Sequence, residues 1–265
     1  MPEVLPIIDA HVHIYPNRLA EKASHAVGVF YDIEMAHHGT VEELLAQPER
    51  MKHYVVHSVA TVPKQVTSIN DYIYKEMQTH PEFIGFAAMH PDMEAPEKEV
   101  ERVIGMGFRG IKLHPDFQEF DIDDEKAMEM YRTFAGRLPV LIHMGDPTRD
   151  FSHPEKLARV MDAIPNLTVI GAHFAGYSRL EEAERYLLGR DNLYIDTSSS
   201  LFRISPEEAT RLIRKHGVKK TVFGSDYPMW SYRDELARVS KLLLTEEEFA
   251  DIYFNNAAAL LGING

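Results

Sequence analysis

Eight short apolar runs rich in β-branched and aromatic residues recur along the chain, at 7–13, 54–62, 83–89, 108–114, 139–145, 168–175, 193–198 and 221–226. Their length is that of strands buried on both faces. Between most of them the apolar spacing changes to three and four, as over 96–106, 124–135, 153–163, 179–188 and 205–216, which predicts helices with one buried stripe. Boundary signals agree with this reading. Ser205, Pro206 and Glu208 supply a cap, a first-turn proline and a capping-box acid, and Thr245 with Glu248 opens a last helix running towards Leu261 before Gly262. Strands alternating with helices pair in parallel. Eight such units in 265 residues predict an α/β protein, a (β/α)8 TIM barrel forming a single domain over 1–265. A doubly wound open sheet is the rival, and eight units without a gap favour closure. The long connection 14–53 carries a predicted helix at 40–47 and is either a lid over the barrel mouth or an elaborated first helical connection.

Composition narrows the partners. The chain is 45% hydrophobic and 26% charged, ordinary for a globular protein. No apolar run approaches the roughly 18 residues that span a bilayer. The first residues lack the basic and apolar regions of a secretory signal, so a cytoplasmic protein is expected. With no cysteine there is no disulfide framework, and any metal must be held by histidine and carboxylate. A net charge of −13 argues against nucleic acid and anionic membrane, leaving a small-molecule substrate as the expected partner. Assembly into a homo-oligomer stays open.

The candidate chemistry begins at His11 and His13 in the first run. Alternate residues of an extended chain share a face about 6.6 Å apart, so both imidazoles can converge on one ion about 2.1 Å from each ring nitrogen. Active sites of such barrels lie at the C-terminal strand ends. There the fourth run presents Lys112 and His114, the fifth His143, the sixth His173 and the eighth Asp226. Five ends carrying such groups point to a metal site. Neutral imidazoles with a carboxylate suit Zn²⁺ or another divalent transition metal such as Mn²⁺.

These residues, in Asp9-Ala10-His11-Val12-His13, Gly110-Ile111-Lys112-Leu113-His114-Pro115, Ile142-His143, Gly171-Ala172-His173 and Gly224-Ser225-Asp226-Tyr227-Pro228, resemble the amidohydrolase superfamily. The likeness is strongest to the branch holding hydrolases of unassigned substrate beside metal-dependent aromatic-acid decarboxylases. It implies that His11, His13 and Asp226 bind one ion, with His143 as a further ligand of that ion or of a second. It also implies that His173 polarises the substrate or shuttles protons, or else binds a second ion. Lys112 would bind a substrate carboxylate, or bridge two ions as a carbamate. One ion is the preferred count, with two allowed. The implied activity is hydrolysis of a small amide, lactone or ester. Non-oxidative decarboxylation of a small unsaturated or aromatic acid is the alternative. Neither a cysteine nor a Gly-x-Ser-x-Gly elbow offers a competing nucleophile. Asp9 and Asp196 read as structural, His114 as either a support for the site or a structural group, Arg149 and Arg203 as candidate anion clamps, and Tyr227 and Trp230 as a candidate aromatic wall.

Overall fold

Each apolar run yields a strand shorter than the run itself: β1 Ile8–His13, β2 His53–His57, β3 Phe83–Ala88, β4 Gly110–Leu113, β5 Val140–Ile142, β6 Val169–Gly171, β7 Leu193–Asp196 and β8 Thr221–Val222. Apolar residues continue past the point where the ladder stops, so hydropathy overestimates strand length. The structure, a computed structural model, describes residues 5–49 and 51–263. All consecutive strands pair in parallel, in the order β1 to β8. The segment after β8 returns to β1. Ala10 N donates to Phe223 O at 2.9 Å, Asp226 N to His11 O at 3.0 Å and His13 N to Tyr227 O at 2.7 Å. The protein is therefore a (β/α)8 barrel, and these bonds set Asp226 beside the two histidines of β1.

The helices are α1 Asn17–Tyr31, α2 Val41–Leu45, α3 Val66–Thr79, α4 Pro96–Gly105, α5 Pro115–Gln118, α6 Glu125–Phe134, α7 Pro154–Ala163, α8 Leu180–Tyr186, α9 Pro206–His216, α10 Tyr232–Val239, α11 Glu246–Ala250 and α12 Asn256–Leu261. α9 starts at the Ser205 cap, whose side chain accepts from Glu208 N. Thr40 and Glu43 form a reciprocal capping box at α2. The last predicted helix forms as α11 and α12 joined by a π-turn, Asp251–Asn255, and ends at Gly262 in the left-handed conformation. α1, like α3, α5 and α10, is not among the helices read from the sequence pattern. It has no side-chain cap, no acid in its first turn and no base in its last. No described helix is long and apolar enough to cross a membrane.

Candidate metal centre and active site

β1 and the chain after β8 bring His11, His13 and Asp226 together. His11 Nε2 lies 3.3 Å from His13 Nε2 and 3.4 Å from Asp226 Oδ1, and His13 Nε2 lies 3.5 Å from the same oxygen. A tetrahedral ion with bonds of about 2.1 Å has ligand–ligand edges of about 3.4 Å, so this triangle has the dimensions of one face of such a shell. The other Asp226 oxygen accepts from Ser199 Oγ at 2.5 Å, and Ser199 in turn accepts from Trp230 Nε1 at 2.8 Å. Asp226 does not cap a helix: the next one, α10, is capped by Ser231. Asp226 and His173 hold φ of +60°, a left-handed conformation that costs non-glycine residues energy and clusters at functional sites.

Asp196, at the end of β7, fixes the tautomer of His11. Its Oδ2 accepts from His11 Nδ1 at 2.8 Å, which leaves the Nε2 lone pair bare. Lys112 confirms that polarity: its Nζ lies 2.9 Å from His11 Nε2, and an ammonium can only donate. His11 Nε2 and Asp226 Oδ1 thus face each other at 3.4 Å as two acceptors, with the Lys112 ammonium as the positive group now on the nitrogen. A carboxylate paired with an imidazole in this way is the arrangement that would orient His11 were it to hold a metal. Burial alone would raise the Asp196 carboxyl, but the imidazoles of His11 and His173 and the bond from Ser198 hold it down at about 2. Asp9 plays the structural part expected of it. Its carboxylate accepts from His11 N and from the backbone and hydroxyl of Ser225, tying β1 to the Asp226 segment.

His143 and His173 belong to a directed chain of hydrogen bonds whose polarity is set from both ends. The Asp196 carboxylate only accepts, so the Ser198 hydroxyl donates to it at 2.6 Å and must accept from His173 Nδ1 at 2.9 Å. His173 Nε2 then accepts from His143 Nδ1 at 3.0 Å, and His143 Nε2 accepts from the Tyr31 hydroxyl at 3.1 Å. At the far end Phe117 N can only donate, so His114 Nδ1 accepts and His114 Nε2 donates to Tyr31 at 3.1 Å. Both directions agree only if all three imidazoles are neutral. Burial ensures this, pushing His173 down to about 4 and His143 and His114 well below the usual histidine range. His143 thus meets His173 and Tyr31, while His11 and His13 meet Asp226.

Above this floor lies a cavity of about 400 Å³, the size of a small-ligand pocket. α1 walls it with Ala23, Ala26, Val27, Phe30 and Tyr31, so the long first connection reaches over the barrel mouth. His114 is sandwiched between parallel rings, 3.8 Å from Phe117 and 3.9 Å from His143 between centroids. Arg149 lines the cavity with its guanidinium over the Phe30 ring. Arg203 instead covers Tyr177 and donates to Ser178 Oγ. The aromatic wall differs from the one expected. Tyr227 stacks on Tyr232 and Trp230 holds Ser199, and neither lines the cavity, whereas Tyr15, Phe30, Tyr31, Phe117 and Tyr177 do. Lys112 lies beneath His11 rather than on the cavity surface, and burial lowers its ammonium to about 8.

Three residues at the site escape the sequence pattern: Tyr31, because its helix lacks end signals; Asp196 as a partner of His11; and His57. The apolar run 54–62 places His57 mid-run, whereas in the structure β2 ends on it and its register sets it opposite His13.

Comparison with known proteins supports the architecture. The described barrel overlays a dihydroxybenzoic acid decarboxylase of Polaromonas sp. JS666, solved with manganese and 2-nitroresorcinol, at TM-score 0.74 and 15% identity, covering 99% of this chain and 98% of that one. An uncharacterised TIM-barrel protein of Bordetella bronchiseptica matches at TM-score 0.76 and 19% identity over 98% and 99% of the two chains. A putative 2-pyrone-4,6-dicarboxylic acid hydrolase of Pseudomonas putida matches at 0.68 and 19% over 99% and 100%. At these identities the likeness is one of fold. Among curated proteins, the signal recognition particle 54 kDa protein of Thermoplasma acidophilum is 27% identical over 144 residues, 52% of this chain. The chain spans about a third of that protein, 31% by length, and the match carries no activity across. The family model described as amidohydrolase matches residues 8–263, from the first strand to the end of the last helix, and the chain belongs to that family.

Proposed function

We propose that this enzyme is a metal-dependent hydrolase that cleaves a small amide, lactone or ester. His11, His13 and Asp226 would hold one divalent ion, Zn²⁺ or Mn²⁺, with His143 as the further ligand that the family resemblance suggests. When bound, such an ion acts as a Lewis acid and lowers the pKa of coordinated water towards about 7. The observation that carries this reading is the 3.3–3.5 Å triangle of His11, His13 and Asp226 on the floor of the cavity.

The protein's own groups have distinct tasks. Asp196 keeps the His11 Nε2 lone pair free, and Ser199 holds Asp226 with one oxygen turned towards the histidines. Asp226 is the general base: it accepts the proton of the attacking water and passes it to the leaving group. His173, its ring stacked on that of His11 at 5.2 Å between centroids, would stabilise negative charge developing on the substrate oxygen once its Nε2 turns from accepting from His143 to donating to the substrate. Lys112, its ammonium lowered to about 8, occupies the His11 lone pair that an ion would need, so loading the site would require it to turn away or release its proton to solvent. In a two-ion version of the site the same nitrogen is the one available for a carbamate. The apolar wall from α1 excludes water and sets the size of the substrate. Turnover on a panel of lactones, esters and amides, with Zn²⁺ or Mn²⁺ restored, tests the proposal. Activity that survives His11→Ala refutes it.

One observation favours a second reading. The cavity wall is rich in rings, with His114 stacked between Phe117 and His143 and Arg149 placed at the wall. That surface complements a flat unsaturated acid, and the manganese-bound Polaromonas neighbour is a decarboxylase. CO₂ release from aromatic acids, against hydrolysis of the corresponding lactones and esters, separates the two reactions.

A further inference from the structure

His57, the last residue of β2, is fully buried, and neither of its ring nitrogens has a hydrogen-bond partner among the described residues. A neutral imidazole carries one donor and one acceptor, and each such group left unused in the interior keeps its full desolvation cost. A native fold seldom tolerates that without a reason. The surroundings supply one. The parallel register of β1 and β2 sets His57 opposite His13, with the two rings edge to face at 4.4 Å between centroids and the His11 ring 5.2 Å away. One ring nitrogen from each of His11, His13 and His57 falls within 4.8 Å of the other two. His143 is the contrasting case, because both of its nitrogens are already engaged, by His173 and Tyr31.

We propose that His57 is an imidazole ligand of the ion held by His11, His13 and Asp226, so that the metal is drawn to the β1–β2 side of the barrel mouth. This rests on the metal-dependent reading above and adds a ligand that the family resemblance did not supply. With His11, His13 and Asp226, His57 makes three imidazoles and one carboxylate before any contribution from His143, a donor set that favours Zn²⁺ and Co²⁺ over Mg²⁺, which prefers all-oxygen surroundings.

The test strips metal from the wild type and from His57→Gln, then titrates both with Co²⁺ against a competing chelator while recording the visible absorption of the cobalt. The expected result is a loss of at least tenfold in affinity for His57→Gln together with a changed cobalt band, while circular dichroism and the melting temperature of the metal-free protein stay at wild-type values. Equal affinity and an identical band would overturn the proposal. Should the variant fail to fold, anomalous scattering at the cobalt edge from wild-type crystals decides the matter. An ion about 2.1 Å from a His57 nitrogen supports ligation, and one beyond 3 Å excludes it. Wild type that takes up no Co²⁺ overturns the metal-dependent function as well, whereas tight binding indifferent to His57 overturns this inference alone.

Discussion

Replacing Asp196 with asparagine isolates what the outer-shell carboxylate does, because it changes charge and donor pattern while preserving shape. Asp196 Oδ1 accepts from His173 N at 2.9 Å, Ser198 N at 3.1 Å and Ser198 Oγ at 2.6 Å, so the amide oxygen must take that side. The amide NH₂ then faces His11 Nδ1, where Oδ2 accepts at 2.8 Å in the wild type. Two donors cannot share that contact, so His11 must flip its tautomer and carry its proton on Nε2, pointing at His13 and Asp226. Metal binding would then require moving that proton back against the new bond. Outer-shell losses of this kind weaken metal binding about 10- to 100-fold, equivalent to about 1.4–2.8 kcal/mol. Competition between a fluorescent chelator and metal-stripped protein for Zn²⁺ measures it directly, with Asp196→Asn beside wild type at one pH. Wild-type affinity in that variant would show that His11 is not tuned through Asp196, and the assignment of its Nε2 as a ligand atom would lose its main support.

Other perturbations probe separate parts of the account. Tyr31→Phe removes the hydroxyl between His114 and His143 and should lower stability by about 1–3 kcal/mol in urea unfolding, since two buried nitrogens lose their partner; an unchanged midpoint would deny the directed chain. Burial, with Asp146 nearby, raises the Asp116 carboxyl to about 7, so the folded state holds a proton that the unfolded chain gives up near pH 4. That contribution is fully present below about pH 4 and is lost as pH rises to about 7, at about 1.4 kcal/mol per pH unit. Asp116→Asn mimics the protonated form, so its stability relative to wild type should climb between pH 5 and 7, and a flat difference would contradict the raised value. Gly145 follows the His143 strand end with φ +77°, and a Cβ there would stand 2.3 Å from Gly176 O; Gly145→Ala should cost about 1–3 kcal/mol or more in the same unfolding assay, and a neutral result would refute that packing.

The barrel was legible because a strand buried on both faces has to be apolar throughout, and eight such runs separated by amphipathic helices leave few other topologies. His11, His13 and Asp226 were legible for a related reason: polar groups at the ends of otherwise apolar strands have little structural purpose. Other features depend on contacts that local pattern does not encode. His57 was hidden because the apolar run continues through Val59, Ala60 and Val62, which placed it inside the run rather than at the end of the ladder. The role of Asp196 depends on a partner 185 positions away. Tyr31 lies on a helix with no side-chain cap at its start and no favourably placed charge at either end, so it forms through packing against the barrel mouth more than through local propensity. Trp230 sat next to Asp226 in sequence and was expected in the wall, yet the turn that follows directs its indole to Ser199.

Metal stoichiometry by elemental analysis, on wild type and on Asp226→Asn after stripping and reconstitution with Zn²⁺, addresses the central claim most directly. Wild type should retain one ion per chain through gel filtration, rising to two only in a carbamate-bridged site, and the variant should lose it. Reconstituted wild type that emerges without bound metal, or Asp226→Asn that holds it equally well, would contradict the account.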